Sequence, residues 1–168
     1  MRIAHDTLGR PHLLLGEQPG PAISFSTAGD EVWAALCGDE SDIGIDVAGS
    51  AEFPEDYPMH RVFHESELHQ ASVLAGGDVA KASALLWSIK EAVAKALGCA
   101  FHLVDPRDIH VHPTEVDDCG PASLVRLSGK ALARFPMARR GSIKVRSLLQ
   151  AQTWLSIAAL NCPATARL

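Results

Sequence analysis

The stretch DVAKASALLWSIKEAVAKALG, residues 78–98, decides the fold of this chain. Asp78 is a typical helix N-cap, Gly98 is a typical helix stop, and apolar residues recur between them at helical spacing. A helix of about 20 residues is roughly 30 Å long, which is the width of a whole small domain. The stretch therefore predicts a long helix in the centre of the core.

Short segments in which apolar and polar residues alternate lie on both sides of this helix. A shorter helix precedes it, and we expect Ser66 to cap that helix and Gly76 and Gly77 to end it. Turn-forming residues predict loops at 113–121 and 135–141. The fold class is therefore α+β, with antiparallel strands packed on a long central helix in a single domain, residues 1–168. The predicted strands are 22–26, 32–37, 43–47, 109–112, 124–127, 143–146 and 153–158.

Length and composition limit the classes of protein to which the chain can belong. Its 168 residues suit one domain, and its 47% of apolar residues predict a packed core rather than a disordered chain. The net charge of −5 disfavours nucleic-acid binding, because like charges repel. No apolar run is long enough for a membrane span or an export signal. We therefore expect a cytoplasmic protein with reduced cysteines that binds neither nucleic acid nor membrane.

Two acidic positions are candidates for chemistry. Asp46 interrupts the apolar strand IGIDV, where an ionised carboxylate needs a partner or a metal unless it reaches solvent. Glu91 and Lys95 share one stripe of the long helix with Trp87, although a pair at this spacing is often only a weak surface ion pair. From these segments alone, the functional and the structural interpretations both stay open.

Four segments, taken in order, resemble the motifs of the 4′-phosphopantetheinyl transferase superfamily. That family has a G-[KR]-P element, an N-x-S-H-S-G turn, a G-[IV]-D-[IV]-E strand and a W-x-x-K-E-A-x-x-K helix. The corresponding segments here are GRP at 9–11, SFSTAG at 24–29, GIDV at 44–47 and WSIKEAVAK at 87–95. The likeness runs from about residue 9 to residue 160, and the helix motif is its most specific part. The chain resembles the C-terminal two-thirds of the longer, pseudo-dimeric members.

The resemblance implies an enzyme that transfers the 4′-phosphopantetheine arm of coenzyme A to a serine of an acyl or peptidyl carrier protein, releasing 3′,5′-ADP. Members of the family serve fatty acid, polyketide or nonribosomal peptide biosynthesis. By the same resemblance Asp46 and Glu91 would bind Mg²⁺, which prefers oxygen ligands, and Lys95 would contact a phosphate. Glu91 and Lys95 are therefore the expected catalytic residues. Lys90 lies on a different face of the helix and is a weaker candidate.

The other motifs contain the residues that are expected to bind coenzyme A. Arg10 stands at the family's basic position near the nucleotide, and Ser26 matches the serine of the turn. Thr27 stands where the family has a histidine that contacts the 3′-phosphate. A threonine keeps a hydrogen-bond donor at that position but brings no positive charge.

Two departures from the family pattern bear on activity. Ala48 replaces the second acid of the strand motif, and the chain begins almost at the G-[KR]-P element, before which longer members carry further basic residues. Together with Thr27, these departures leave open a non-catalytic relative that binds carrier protein or coenzyme A without transfer. They also lead us to expect a homodimer, or a tight partner chain, in which a second subunit completes the site.

Two further groups of residues have more than one interpretation. His110 and His112 lie on one face of a predicted strand and are either a metal pair or, more often at this spacing, ordinary strand residues, so we assign them no role. A basic stretch either meets an acidic carrier protein or is a solvated loop. Its residues are Arg134, Arg139, Arg140, Lys144 and Arg146.

Overall fold

The computed structural model describes residues 1–38, 41–117, 120–140 and 143–161, and within these ranges the chain forms two antiparallel sheets and three α-helices. Four neighbouring strands make the first sheet: β1 (Arg2–His5), β2 (Pro11–Leu15), β3 (Gln18–Ala28) and β4 (Glu31–Cys37). The second sheet contains β5 (Ser41–Gly49), β6 (Ile109–Asp117), β7 (Gly120–Leu127), β8 (Ile143–Gln150) and β9 (Thr153–Asn161), in the spatial order β5-β9-β8-β7-β6. The helices are α1 (Glu65–Leu74), α2 (Val79–Ala96) and α3 (Gly129–Arg134).

Helix α2 forms the centre of the core, as the sequence predicts. Asp78 caps it, because its side chain accepts a hydrogen bond from the Lys81 backbone N–H at 3.0 Å. Most of the helix is buried, and its apolar residues belong to the main core cluster together with residues of α1, β6, β7, β8 and β9. The chain leaves the helix at Gly98, whose φ of +76° favours glycine.

Strand β5 lies between α2 and the first sheet. A Cβ atom on Gly44 would lie 1.9 Å from the Ala92 carbonyl oxygen, so the strand and helix backbones meet here without a side chain between them. Ile43 and Ile45 point to the opposite face and pack in a second cluster with Ala35 of β4. The alternation of side chains along β5 therefore places the even positions, including residue 46, beside α2.

Side chains of β3, rather than the backbone of another strand, form hydrogen bonds with the free edge of β5. The Ser24 hydroxyl oxygen on β3 accepts a hydrogen bond from the Ile45 N–H at 3.1 Å, and that of Ser26 accepts one from the Val47 N–H at 3.2 Å. Two serines of β3 thus satisfy backbone donors that the pairing with β9 leaves open. They connect the two sheets at the point where the candidate site begins.

Several boundaries differ from the predicted ones. The cap of α1 is His64 instead of Ser66, because Glu67 accepts a hydrogen bond from the His64 N–H at 2.9 Å and so starts the helix two residues earlier. The predicted loop at 113–121 is wrong in extent, since β6 and β7 pair along most of it and only residues 118–119 lie outside the described ranges. The loop at 135–141 contains a 3-10 helix, Pro136–Arg140. β1, β2 and α3 were not predicted, because short elements with few alternating residues carry a weak pattern.

Within the described ranges, no helix is both long enough and apolar enough to cross a membrane.

Candidate active site

Asp46 lies in the middle of β5 and is buried. Its Oδ1 accepts a hydrogen bond from the Ser26 hydroxyl at 2.9 Å and another from the Lys95 ammonium at 2.7 Å. Burial raises the pKa of Asp46 above its ordinary value, while the charge of Lys95 and the bonds from Lys95 and Ser26 oppose that rise. The carboxylate that interrupts the apolar strand therefore has partners on two other elements.

Glu91 and Lys95 face Asp46 from α2. The Lys95 ammonium lies 3.9 Å from Glu91 Oε2, across one helical turn, so this ammonium is close to both carboxylates. Burial and the nearby Asp46 carboxylate raise the pKa of Glu91, and Lys95 opposes the rise. The structure thus brings together the three residues that the motifs single out, Asp46, Glu91 and Lys95.

A magnesium ion fits the donor atoms of this arrangement. Within the described part of the chain, no group of three or more His, Cys, Asp and Glu side chains is arranged to hold a metal. Mg²⁺ is nevertheless commonly bound by one or two carboxylates, with water and phosphate oxygens completing its coordination. Asp46 and Glu91 supply two carboxylates from two different elements, beside a cation that marks the favourable position for positive charge. These two residues would therefore hold the ion.

A cavity of about 240 Å³ opens beside Lys95. Its lining combines cationic, polar and apolar side chains, which suits a ligand with both an anionic and an apolar part. The lining includes His5, Arg10, Ser24, Phe25, Lys95 and Cys99. Arg10 is ion-paired with Asp42, and its guanidinium lies against Gly98, where a side chain would collide with it. Of the residues predicted to bind coenzyme A, Arg10 and Lys95 therefore share one cavity.

The two other predicted coenzyme A residues lie elsewhere. Ser26 is buried, and its hydroxyl donates to Asp46 and accepts from the Val47 N–H, so its visible contacts position the carboxylate. Thr27 is exposed near the end of β3, opposite Val32 of β4, and is not part of the cavity lining. His5, Phe25 and Cys99 were not predicted as cavity residues, because only the pairing and packing of distant segments bring them there.

Lys90 has a structural environment, as its different helical face indicates. It is fully buried, and its ammonium donates to both carboxylate oxygens of Glu67 at 3.2 and 3.0 Å and to the carbonyls of Pro106 and Ile109 at 2.8 and 2.7 Å. Glu67 also accepts from the backbone N–H of Val111 at 2.7 Å. This buried ion pair connects α1, α2 and the start of β6 and was not found from the sequence.

The aromatic residue of the helix motif has a packing role. Trp87 is half-buried, with its ring centroid 5.0 Å from that of Phe101 and 6.3 Å from that of Phe53. This packing covers the helix stripe one turn before Glu91. It explains why a large aromatic residue shares a stripe with two charged residues.

His110 of β6 lies in a different cluster. His110 is hydrogen-bonded to the Ser128 hydroxyl at 2.8 Å and stacks on His64 with 4.6 Å between ring centroids. Burial and the neighbouring His64 lower the pKa of His110, which favours its neutral form. These contacts of His110 and the exposure of His112 are consistent with the interpretation as ordinary strand residues.

Solved structures with this fold come from several organisms. A holo-[acyl-carrier-protein] synthase of Helicobacter pylori, solved in complex with coenzyme A, is 21% identical, with a TM-score of 0.53 over 69% of this chain and 96% of that chain. One from Bacillus anthracis is 22% identical, with a TM-score of 0.53 over 73% and 96%. The acyl carrier protein synthase of Mycobacterium tuberculosis is 28% identical, with a TM-score of 0.50 over 73% and 97%. These similarities confirm the predicted fold. No curated protein sequence matches the chain.

A family profile gives the more direct relationship. The profile of the 4′-phosphopantetheinyl transferase superfamily matches residues 42–135, more than half of the chain. The matched region contains Asp46, Glu91 and Lys95, and the match confirms the enzyme class that the motifs imply. The chain therefore belongs to the 4′-phosphopantetheinyl transferase superfamily.

Proposed function

We propose that this protein transfers the 4′-phosphopantetheine arm of coenzyme A to a serine of an acyl or peptidyl carrier protein, releasing 3′,5′-ADP, with Mg²⁺ held by Asp46 and Glu91. The single observation that carries the proposal is the position of Lys95. It lines the cavity and at the same time lies close to both carboxylates, which supports a cation site and a phosphate site side by side. Structures of similar synthases support coenzyme A as the donor, since that of Helicobacter pylori was solved with it.

The reaction exchanges one phosphorus–oxygen bond for another. The serine oxygen bonds to the phosphorus that carries the pantetheine arm, the bond from that phosphorus to the oxygen of 3′,5′-ADP breaks, and the leaving oxygen keeps the electron pair. Such transfer depends mainly on positioning and on neutralising charge. A divalent ion bound to the carboxylates would supply part of that neutralisation.

The site residues have different roles in the proposed transfer. Arg10 and Lys95 contribute positive charge to the cavity and would hold the phosphates of coenzyme A. Ser26 orients Asp46. Glu91 would hold the divalent ion together with Asp46, and the proton of the serine passes to water as its oxygen bonds to phosphorus.

The test is incubation of the protein with coenzyme A, Mg²⁺ and an apo carrier protein, followed by mass analysis of the carrier. We expect the wild-type protein to add the arm and Asp46→Ala and Glu91→Gln to lose at least a hundredfold of the rate, since charge neutralisation is a large part of catalysis. Glu17→Gln, an exposed acid in the turn between β2 and β3, is the matched control and keeps the full rate. Transfer by Asp46→Ala at the wild-type rate would exclude the metal site.

One observation favours the second candidate, a relative that binds without transfer. Ala48 is 1% exposed and belongs to the main core cluster, so no carboxylate stands at the position of the second acid of the strand motif. If the protein binds without transfer, calorimetry would detect binding of coenzyme A or of a carrier protein, while mass analysis of the carrier would find no added arm. Addition of the arm by the wild-type protein excludes this alternative.

A further inference from the structure

The inference concerns Lys95 and rests on the proposed function. We propose that Lys95 is a displaceable internal counter-ion, whose ammonium neutralises Asp46 and Glu91 in the metal-free protein and moves to a phosphate in the adjoining cavity when a divalent cation binds the carboxylates. The lysine would then act before the chemical step as well as during it, by making the binding of metal and of coenzyme A depend on each other.

The ammonium of Lys95 lies close to both carboxylates. Lys95 Nζ lies 2.7 Å from Asp46 Oδ1 and 3.9 Å from Glu91 Oε2. A single positive charge thus lies close to two carboxylates that come from β5 and α2. A divalent cation binding to both carboxylates would need the same place, and two cations that close repel each other strongly. Binding of the metal therefore requires the ammonium to leave.

Lys95 is free to leave this position, whereas Lys90 is held in place. Lys90 is fully buried and has four acceptors around its ammonium. Among the described contacts, the Lys95 ammonium has one hydrogen bond, to Asp46, and its side chain is 25% exposed. A lysine side chain has four flexible carbons and a compact charge, so it can reorient with little change in the backbone.

The cavity beside Lys95 is the place to which its ammonium can move. The cavity of about 240 Å³ is lined by Lys95 itself, so the side chain reaches it without crossing other residues. Arg10 lines the same cavity but is already paired with Asp42 and confined against Gly98. Lys95 is therefore the cation best able to turn toward a phosphate group that enters.

A coupling between the two ligands follows. A divalent cation on the carboxylates releases Lys95 toward phosphate, and a phosphate that holds Lys95 opens the carboxylates to the cation. By thermodynamic linkage, each ligand must then raise the affinity for the other by the same factor.

The experiment measures Mg²⁺ binding to the full chain without coenzyme A, by calorimetry. We expect Lys95→Met to bind Mg²⁺ roughly tenfold more tightly than wild type, because one competing unit charge is removed at a partly exposed site. Lys95→Arg, which keeps the charge, and Lys81→Met, which removes only the Asp78 ion pair at the start of α2, are expected to bind as wild type does. Equal or weaker Mg²⁺ binding by folded Lys95→Met overturns the proposal.

A second measurement uses the wild-type protein and needs no variant to fold. An amine-reactive acetylating reagent is applied with and without Mg²⁺, and the modified lysines are quantified by mass spectrometry. We expect Mg²⁺ to increase modification of Lys95 severalfold and to leave Lys81 and Lys90 unchanged. Modification of Lys95 that does not respond to saturating Mg²⁺, or the absence of any Mg²⁺ binding, overturns the proposal.

The transfer assay separates this inference from the proposed function. If the wild-type protein modifies a carrier but Lys95→Met does not bind Mg²⁺ more tightly, the counter-ion role is wrong and the transferase function stands. If Lys95→Met binds Mg²⁺ more tightly but wild type never adds the arm, the counter-ion role stands and the proposed transfer is wrong.

Discussion

At the scale of single residues, Ser26 shows how one hydroxyl positions the candidate site. It donates to Asp46 and accepts from the Val47 N–H, so it orients the carboxylate and closes the edge of β5 at once. The motif comparison assigns this serine to coenzyme A, but its contacts in the structure are with the strand. Any contact with coenzyme A would add to this positioning role.

Ser26→Ala is therefore expected to weaken both stability and activity. The free energy of unfolding should fall by roughly 1–3 kcal/mol, because the buried Val47 N–H loses its acceptor and Asp46 loses a donor. Chemical denaturation measures this loss, and the transfer assay measures the accompanying loss of rate. The neighbouring Thr27→Ala is the control, since Thr27 is exposed and should change the stability by less than about 0.5 kcal/mol. Equal effects of the two substitutions would contradict the positioning role.

The thiol of Cys99 gives a prediction about pH. Cys99 is 2% exposed, and burial raises its pKa to about 11, so at pH 8 only about a thousandth of it is the reactive thiolate. We expect iodoacetamide at pH 8 to modify the half-buried Cys37 long before Cys99. The modification rate of Cys99 should rise roughly tenfold for each pH unit up to that pKa. Peptide mass spectrometry follows both sites, and rapid modification of Cys99 at pH 8 would contradict the raised pKa.

At the scale of elements, the contact between β5 and α2 sets the distance between the two carboxylates. Gly44→Ala would place a methyl group 1.9 Å from the Ala92 carbonyl oxygen, so the helix must move away from the strand. We expect a loss of roughly 1–3 kcal/mol or more in the free energy of unfolding, together with weaker Mg²⁺ binding. Gly49→Ala, on the same strand, is the matched control, because its Cβ would meet atoms no closer than 3.7 Å. Calorimetry and denaturation test the pair, and two variants of equal stability would refute this account of the contact.

The buried pair Lys90–Glu67 joins α2 to α1 at a different face of the helix. Lys90→Met alone leaves a buried carboxylate without its counter-charge, and we expect it to destabilise the protein by roughly 3–5 kcal/mol. The double variant Lys90→Met, Glu67→Leu should be clearly more stable than Lys90→Met, since no charge is left unpaired. Thermal unfolding of the three proteins completes the comparison. A double variant no more stable than Lys90→Met would show that the unpaired charge is not the cause of the loss.

At the scale of the whole molecule, the expected homodimer remains a prediction. Strand β4 is an edge of the first sheet, and its Val32 and Leu36 are 70% and 61% exposed. Apolar residues on a free edge strand are a typical association surface. We expect light scattering at micromolar concentration to give twice the mass of one chain, and Leu36→Lys to shift it toward one chain. A wild-type protein that is monomeric while it binds coenzyme A would exclude a site shared between subunits.

Local patterns in the sequence determine the long helix, most of the longer strands and the residues of the motif helix. Helical periodicity with a cap and a glycine stop needs no distant contact, so α2 was predictable from residues 78–98. The resemblance to the family's motifs likewise singles out Asp46, Glu91 and Lys95, which are residue types that suit metal and phosphate binding.

Tertiary structure alone decides how these residues meet. The sequence does not show that the ammonium of Lys95 lies close to both carboxylates, that Lys90 pairs with Glu67, or that Ser26 closes the edge of β5. Apart from the contact of Lys95 with Glu91, one helical turn away, these contacts join segments far apart in the chain, so they depend on how sheets and helices pack rather than on local spacing. The physical reason is that periodicity specifies which face of an element is buried, whereas the partner across that face is set by the packing of the whole core.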